Sequence, residues 1–307
     1  MTERRFIPRL DARALAREEP SAMAELRRGV EEAGFLTVHH TAIDRARMEE
    51  VIAAYRAFFA LPEEAKARVD MARTGANRGW GAPLSERVDP GANPDYKQVF
   101  DVGYEMPPGD PLAALPVYAP NLWPTELPGF RRIVTEYYAQ AMEVSLGLLR
   151  AIAAAIGADR DYFATRFSRP MALLRANHYP PRPGWAGARD FGIGAHTDYG
   201  CLTLLGTDGT PGLEVERPDG GWAPVSAAPG EFIVNFGEML EMWTEGRVRA
   251  TPHRVTGGAE ARISIPLFFN PNHDTNVAPM GSGRVIRAGD HLSKRINETY
   301  LHLAAQA

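Results

Sequence analysis

Apolar residues in the first half of the chain recur at helical spacing in three stretches. Ser21 to Ala33 mixes apolar and charged residues and stops at Gly34, which tolerates the left-handed backbone of a helix end, so a helix is predicted there. Phe35 to Val38 (FLTV) reads as a short strand. Met48, Val51, Ile52, Tyr55, Phe58 and Phe59 then fall at three- and four-residue steps, one stripe of a second helix that Leu61-Pro62 ends. Phe130, Ile133, Val134, Tyr137, Ala141, Val144, Leu148 and Ile152 keep the same period up to Gly157. They predict a long helix of about seven or eight turns, with one side against a sheet or another helix.

Between these helices, Met71 to Pro128 is rich in Gly and Pro, with seven prolines from Pro107 to Pro128, and reads as loop and short extended pieces. Past about Met171 the period changes to two. Short apolar runs (MALLRANHY, GAHTD, CLTLL, GLEVE, EFIVNF, HRVT, RISIPLFF) recur between turn signals, which predicts a β-sandwich or barrel. Asp290 is placed to cap a last helix, His291 to about Leu303. No internal repeat stands out.

Composition narrows the function classes. With 45% hydrophobic residues and a net charge of −4, the chain can bury a large core and has no basic block to hold a phosphate backbone, so nucleic acid is not an expected partner. No apolar run approaches the ~18 residues of a membrane span, and Met1 to Asp11 lacks the apolar middle of a signal peptide. The single cysteine, Cys201, cannot form an internal disulfide and sits in an apolar run. A cytoplasmic setting without membrane attachment is therefore expected. The sequence leaves the oligomeric state open, a monomer included.

The candidate chemistry begins at His196-Thr197-Asp198, expected on a strand, where residues two apart share a face. Eight histidines and 38 acidic residues in 307 predict about one such pair by chance, so it needs company. His253 supplies it, opening the strand-like run HRVT further along. Two histidines and a carboxylate on one side of a metal leave the other positions open, the arrangement of non-haem Fe(II) oxygenases. Arg262-Ile263-Ser264 follows. Alternation puts Arg262 and Ser264 on one strand face, a guanidinium fork plus a hydroxyl that seats a carboxylate. Arg175, Asn177 and Tyr179 likewise share a face of RANHY, with His178 turned away.

The runs GAHTDYGCLTLL, FIVNFGEMLEMWTEGRVRATPHRV and RISIPLFFNPN resemble the isopenicillin N synthase-like family of Fe(II)- and 2-oxoglutarate-dependent dioxygenases. AGFLTVHH and DYKQVFDVG resemble that family's helical leader, so the likeness covers most of the chain. It implies an α+β fold with a mainly β core, a double-stranded β-helix (jelly roll) flanked by helices. It also implies an α-rich leader over residues 1–125 and the oxygenase core over 126–307. His196, Asp198 and His253 would be the Fe(II) ligands and the catalytic centre. Arg262 and Ser264 would bind the distal carboxylate of 2-oxoglutarate, with Asn177 and Tyr179 near it. O2 and 2-oxoglutarate would be consumed, succinate and CO2 released, and a small organic substrate hydroxylated, desaturated or cyclised.

Arg78, Tyr104, Arg175, Tyr199 and Phe269 are candidates to reach that substrate; Arg175 ranks first for its shared face, and Tyr199 and Phe269 join it as expected contacts. Trp80, Trp123, Trp185 and Trp243 read as packing residues. Three other functions compete. One is an oxidase of the same fold that uses no 2-oxoglutarate, another a zinc hydrolase on the same three ligands, and the third a non-catalytic jelly roll binding a small acid. Succinate production separates the first from the dioxygenase, the Arg-x-Ser seat is unexplained by the second, and oxygen consumption excludes the third.

Overall fold

A computed structural model describes residues 6–73, 76–86, 93–182, 184, 186–187, 190 and 192–299. The amino-terminal part contributes β1 (Arg9–Asp11), α1 (Ala12–Ala16), α2 (Pro20–Arg28), β2 (Phe35–His39), α3 (Arg45–Phe59), α4 (Glu63–Ala67), β3 (Gly79–Gly81) and β4 (Gln98–Gly103). The remainder carries α5 (Phe130–Ala155), β5 (Leu173–Tyr179), β6 (Ile193–His196), β7 (Leu202–Thr207), β8 (Leu213–Glu216) and β9 (Trp222–Val225). It ends with β10 (Phe232–Phe236), α6 (Glu238–Trp243), β11 (His253–Val255), β12 (Arg262–Phe269) and α7 (Ala288–Thr299).

The three predicted helices form where the apolar stripes lie, with boundaries set by local chemistry. The first starts at Pro20, whose fixed φ suits an initial helical position, and its last turn, 29–33, widens into a π-helix before Gly34. Gly34 has φ +66°, and a Cβ there would lie 2.2 Å from Thr251 Oγ1, so both conformation and space require glycine. Asp44 caps α3 by accepting a hydrogen bond from the Arg47 amide at 2.8 Å. Helix α7 starts at Ala288, so Asp290 lies within its first turn and does not cap it. Trp185 and Leu303 lie outside the described residues.

Two sheets face each other. One runs β1-β2-β10-β7-β12-β5-β4-β3, the other β6-β11-β8-β9, and their pairing is antiparallel apart from β1 with β2. This is the jelly roll. Strands β1, β3, β4 and β9 were not legible from periodicity: β1 and β3 have three residues each, and β4 lies in the Gly/Pro-rich stretch. Through β1 to β4 the amino-terminal region extends the large sheet.

Alternation divides the large sheet into two faces. Leu174 and Ala176 of β5, Leu202 and Leu204 of β7, Phe232 and Val234 of β10, and Ile263, Ile265 and Leu267 of β12 pack with α3 and α5 in one apolar core. The opposite face carries Tyr179, Leu205 and Ile233, which meet Leu213, Val215 and Val255 of the small sheet in a second core. Polar residues at inward positions of these strands therefore end inside the roll, at its open end. Among the described residues no helix is long and apolar enough to cross a membrane.

Candidate active site

His253 opens β11 directly opposite His196, the last residue of β6, and their rings lie 4.3 Å apart between centroids. The sequence expectation of a strand running through Asp198 is corrected here: β6 stops at His196 and the chain turns. The Glu238 amide donates to the Asp198 carbonyl at 2.8 Å, and a Cβ on Gly237 would stand 2.6 Å from that carbonyl oxygen, so only glycine allows the close approach that holds the turn.

Each imidazole is oriented by the backbone. His196 Nδ1 lies 2.8 Å from the Gly194 carbonyl and His253 Nδ1 lies 3.2 Å from the Thr251 carbonyl. A carbonyl only accepts, so each Nδ1 carries the hydrogen and each Nε2 presents its lone pair. Both Nε2 atoms face Asp198 Oδ1, at 3.8 and 3.7 Å. The other carboxylate oxygen, Oδ2, accepts hydrogen bonds from Thr203 Oγ1 at 2.5 Å and Asn235 Nδ2 at 2.7 Å. Three ligand atoms thus converge within 4.8 Å of one another. Three lone pairs with no hydrogen between them repel unless a cation sits among them, so the donor set fits a divalent metal.

The ionisation states agree with that fit. Burial and the neighbouring His196 hold His253 down to about 4, against a smaller upward pull from Asp198, so it is a neutral ligand at physiological pH. Burial raises the Asp198 carboxyl, but both histidines and its two hydrogen-bond donors outweigh it, and the net shift is downward. Thr203 and Asn235 were not singled out from sequence. Their signal was a polar residue at an inward position of an otherwise apolar strand, CLTLL and FIVNF.

A cavity of about 450 Å³ opens over these three side chains and reaches Arg262, Ser264, Asn177 and Tyr179. Register explains the grouping, since Arg262 pairs with Tyr179 and Ser264 with Asn177 across β12 and β5. The Arg262 guanidinium stacks on the Tyr179 ring at 5.1 Å, and its Nε donates to the Thr210 carbonyl at 3.1 Å. Its Nη1 is buried with no hydrogen-bond partner. Asn177 donates through Nδ2 to Ser264 Oγ at 3.4 Å, and its Oδ1 is also unpartnered. A buried guanidinium donor left unsatisfied is a seat for a carboxylate.

The expected substrate contacts separate. Tyr199 lines the cavity, its ring under the Arg295 guanidinium at 4.6 Å. Arg175 lines it too, but its guanidinium forks onto Asp101 at 2.8 and 2.6 Å and reaches Glu86 at 2.9 Å. Phe269 does not reach the cavity, which corrects the expectation for it. It falls on the same β12 face as Ile263, Ile265 and Leu267 and stacks on Phe167 at 4.7 Å in the helix-side core. Phe268, on the Arg262 face, lines the cavity instead. Of the other candidates, Arg78 borders the cavity, Tyr104 packs on Tyr118, and Trp80, Trp123 and Trp243 belong to the core.

A jelly roll whose open end gathers two histidines and a carboxylate beside a buried guanidinium defines a non-haem Fe(II) oxygenase. Family comparison specifies it further. Residues 170–271 match the 2OG-Fe(II) oxygenase superfamily, and residues 7–126 match the family described as non-haem dioxygenase in morphine synthesis N-terminal. The 2-oxoglutarate-dependent dioxygenase tropC of Talaromyces stipitatus is 32% identical, over 94% of this chain and 92% of its own. Homoarginine-6-hydroxylase 2-ODD-C23 of Glycine max is 31% identical, over 91% and 87%. A full-length Neurospora crassa protein, solved with α-ketoglutarate and thymine, superposes with a TM-score of 0.84 at 28% identity, covering 98% of this chain and 97% of that one. The chain belongs to the 2-oxoglutarate- and Fe(II)-dependent oxygenases. Its cofactors are Fe(II) and 2-oxoglutarate, and it acts on a small organic molecule.

Proposed function

We propose that this dioxygenase hydroxylates an unactivated C–H bond of a small cytoplasmic metabolite, with residues 126–307 as the oxygenase core and residues 1–125 as a leader that completes the cavity. In this reading His196 Nε2, Asp198 Oδ1 and His253 Nε2 hold the iron. Arg262 and Ser264 take the distal carboxylate of 2-oxoglutarate, with Asn177 and Tyr179 beside it. When bound, the metal and 2-oxoglutarate supply an oxidant from O2, releasing succinate and CO2.

The chain's own residues do the positioning. Thr203 and Asn235 fix the carboxylate of Asp198 so that one oxygen is committed to the metal side. The carbonyls of Gly194 and Thr251 fix the imidazole tautomers. Tyr179 holds the Arg262 plane from below, and the apolar lining from Leu205, Leu213, Val255 and Ile193 limits water near the site. The observation that carries the reading is the convergence of three lone-pair donors within one cavity with an unsatisfied buried guanidinium. A donor-bearing substrate suits it: the thymine bound by the Neurospora crassa protein offers N–H groups.

Anaerobic addition of Fe(II) and then 2-oxoglutarate tests it. A metal-to-ligand charge-transfer absorption is expected in the native chain and not in His196→Ala or Asp198→Ala. Its absence from the native chain overturns the assignment of 2-oxoglutarate to this site.

A further inference from the structure

Part of the cavity wall is built from an ion cluster. Lys97 Nζ pairs with Glu86 Oε2 at 2.7 Å and Asp95 Oδ2 at 2.9 Å, and Arg175 pairs with Glu86 and Asp101. All five side chains are buried, and Glu86, Lys97 and Arg175 line the cavity. Each cation therefore already faces two carboxylates. Glu86 uses one oxygen, Oε2, for both cations. Its other oxygen, Oε1, is buried without a hydrogen-bond partner. Asn77 borders the same cavity, and its Oδ1 is buried and unpartnered as well.

A carboxylate oxygen in that position accepts and cannot donate. Burial pushes the Glu86 carboxyl up, but Arg175 and Lys97 more than reverse this and hold it down at about 2, so it is ionised at any ordinary pH. Net charge at the wall is close to balanced. Three carboxylates face Lys97 and Arg175, and the buried Arg78 guanidinium, which donates to the carbonyls of Asn77, Val117 and Ala119, adds a third cation near Asp101. Each of Lys97, Arg175 and Glu86 already has an ion partner, so an ionic substrate would compete with these pairs. A neutral molecule with a hydrogen-bond donor gains an ionised acceptor in a desolvated site. Leu115, Pro116, Val117, Phe268 and Leu292 line the same cavity and offer apolar surface to a ring.

We propose that Glu86 is a substrate-recognition residue whose Oε1, with Asn77 Oδ1, accepts hydrogen bonds from the N–H or O–H edge of an uncharged cyclic substrate, a lactam, imide or phenol. This rests on the cavity being the active site of the oxygenase proposed above.

The test uses the full chain and three pairs of ring compounds that differ only by methylation of the donor: phthalimide and N-methylphthalimide, 2-quinolone and N-methyl-2-quinolone, resorcinol and 1,3-dimethoxybenzene. Calorimetric titration in the presence of 2-oxoglutarate and Fe(II) under nitrogen gives the affinities. At least one donor compound is expected to bind about ten- to a hundredfold more tightly than its methylated twin. Glu86→Gln keeps the shape and turns the free acceptor into an amide donor, so the preference should fall to about threefold or less. Asn77→Leu, which leaves the ion cluster intact, should narrow it in part and covers the case in which Glu86→Gln does not fold. Failure of every donor compound to bind overturns the proposal. Equal binding of the twins does so too, as does an equal loss for both twins in Glu86→Gln with the preference retained. Failure of the oxygenase reading is seen separately, as a missing charge-transfer band before any ring compound is added.

Discussion

Replacing Arg262 by alanine isolates the carboxylate seat. In the native chain the guanidinium is buried, stacked on Tyr179 and held by one bond to the Thr210 carbonyl, with Nη1 unsatisfied. Binding a carboxylate there creates charge-assisted hydrogen bonds worth about 1.5–3 kcal/mol, so the variant should bind 2-oxoglutarate roughly ten- to a hundredfold more weakly. Anaerobic titration of the Fe(II)-loaded protein, followed by the charge-transfer band, measures this. A parallel titration with 2-oxobutanoate, which keeps the keto acid end and lacks the distal carboxylate, completes a double-mutant cycle. The native chain should prefer 2-oxoglutarate by about the factor lost in the variant, and the variant should barely distinguish the two acids. Arg262→Lys should recover only part of the loss, because an ammonium restores charge without the planar fork. Native-like affinity for 2-oxoglutarate in a folded Arg262→Ala protein would refute the reasoning.

Thr203→Val is nearly isosteric and removes a hydrogen bond to Asp198 Oδ2, so Fe(II) should bind about 10–100-fold more weakly in competition with a chelator; unchanged affinity removes Thr203 from the positioning role. Phe269→Ala should cost about 3–5 kcal/mol in denaturant unfolding through loss of its stack on Phe167, while 2-oxoglutarate affinity stays constant because the ring faces the helices. Glu86 has a folded-state pKa held at about 2, below its ordinary value of 4.5, so its contribution to stability is complete above about pH 4.5 and is lost as pH falls through about 2. Glu86→Gln should therefore destabilise by about 3–5 kcal/mol at pH 6, with a smaller difference from the native chain near pH 3; a gap that widens on acidification contradicts this sign. Adding Fe(II) and 2-oxoglutarate together at about a hundred times their dissociation constants should stabilise the protein by roughly 2.7 kcal/mol or more, visible as a rise in Tm absent from His196→Ala.

The helices and the roll were legible because their apolar periods are clean: the stripe from Met48 to Phe59 and the alternation in EFIVNF and RISIPLFF leave little choice of element or face. The same alternation put Arg262 and Ser264 on one face and already placed Phe269 on the other, so its selection as a substrate contact ran against the parity of its own strand. Strand β4 was hidden for a different reason. Its segment DYKQVFDVG carries Lys97 and Asp101 where an apolar residue would mark an inward position; Lys97 is matched by Asp95 and Glu86, and Asp101 by Arg175, far along the chain. Asp198 shows the same limit at the metal site. Strand parity predicted the right neighbour for His196, yet the convergence is produced by a turn held through Gly237 and Glu238, 39 and 40 residues away.

The two faces of the large sheet bear opposite demands. The helix-side face is closed apolar packing, where alternate residues of β5, β7, β10 and β12 need only fit. The inner face keeps polar atoms that the fold alone does not satisfy: Arg262 Nη1, Asn177 Oδ1 and Glu86 Oε1. Each such atom costs stability in the free protein, and on the proposed assignments a ligand in the cavity would compensate it. Their chemistry differs. Arg262 offers an unsatisfied donor, Asn177 and Glu86 offer unsatisfied acceptors, and His196, Asp198 and His253 present three metal-facing lone pairs. On the proposed assignments, an anionic cosubstrate and a donor-bearing substrate meet different partners in one cavity, which gives a physical reason for two dissimilar molecules to bind together without competing.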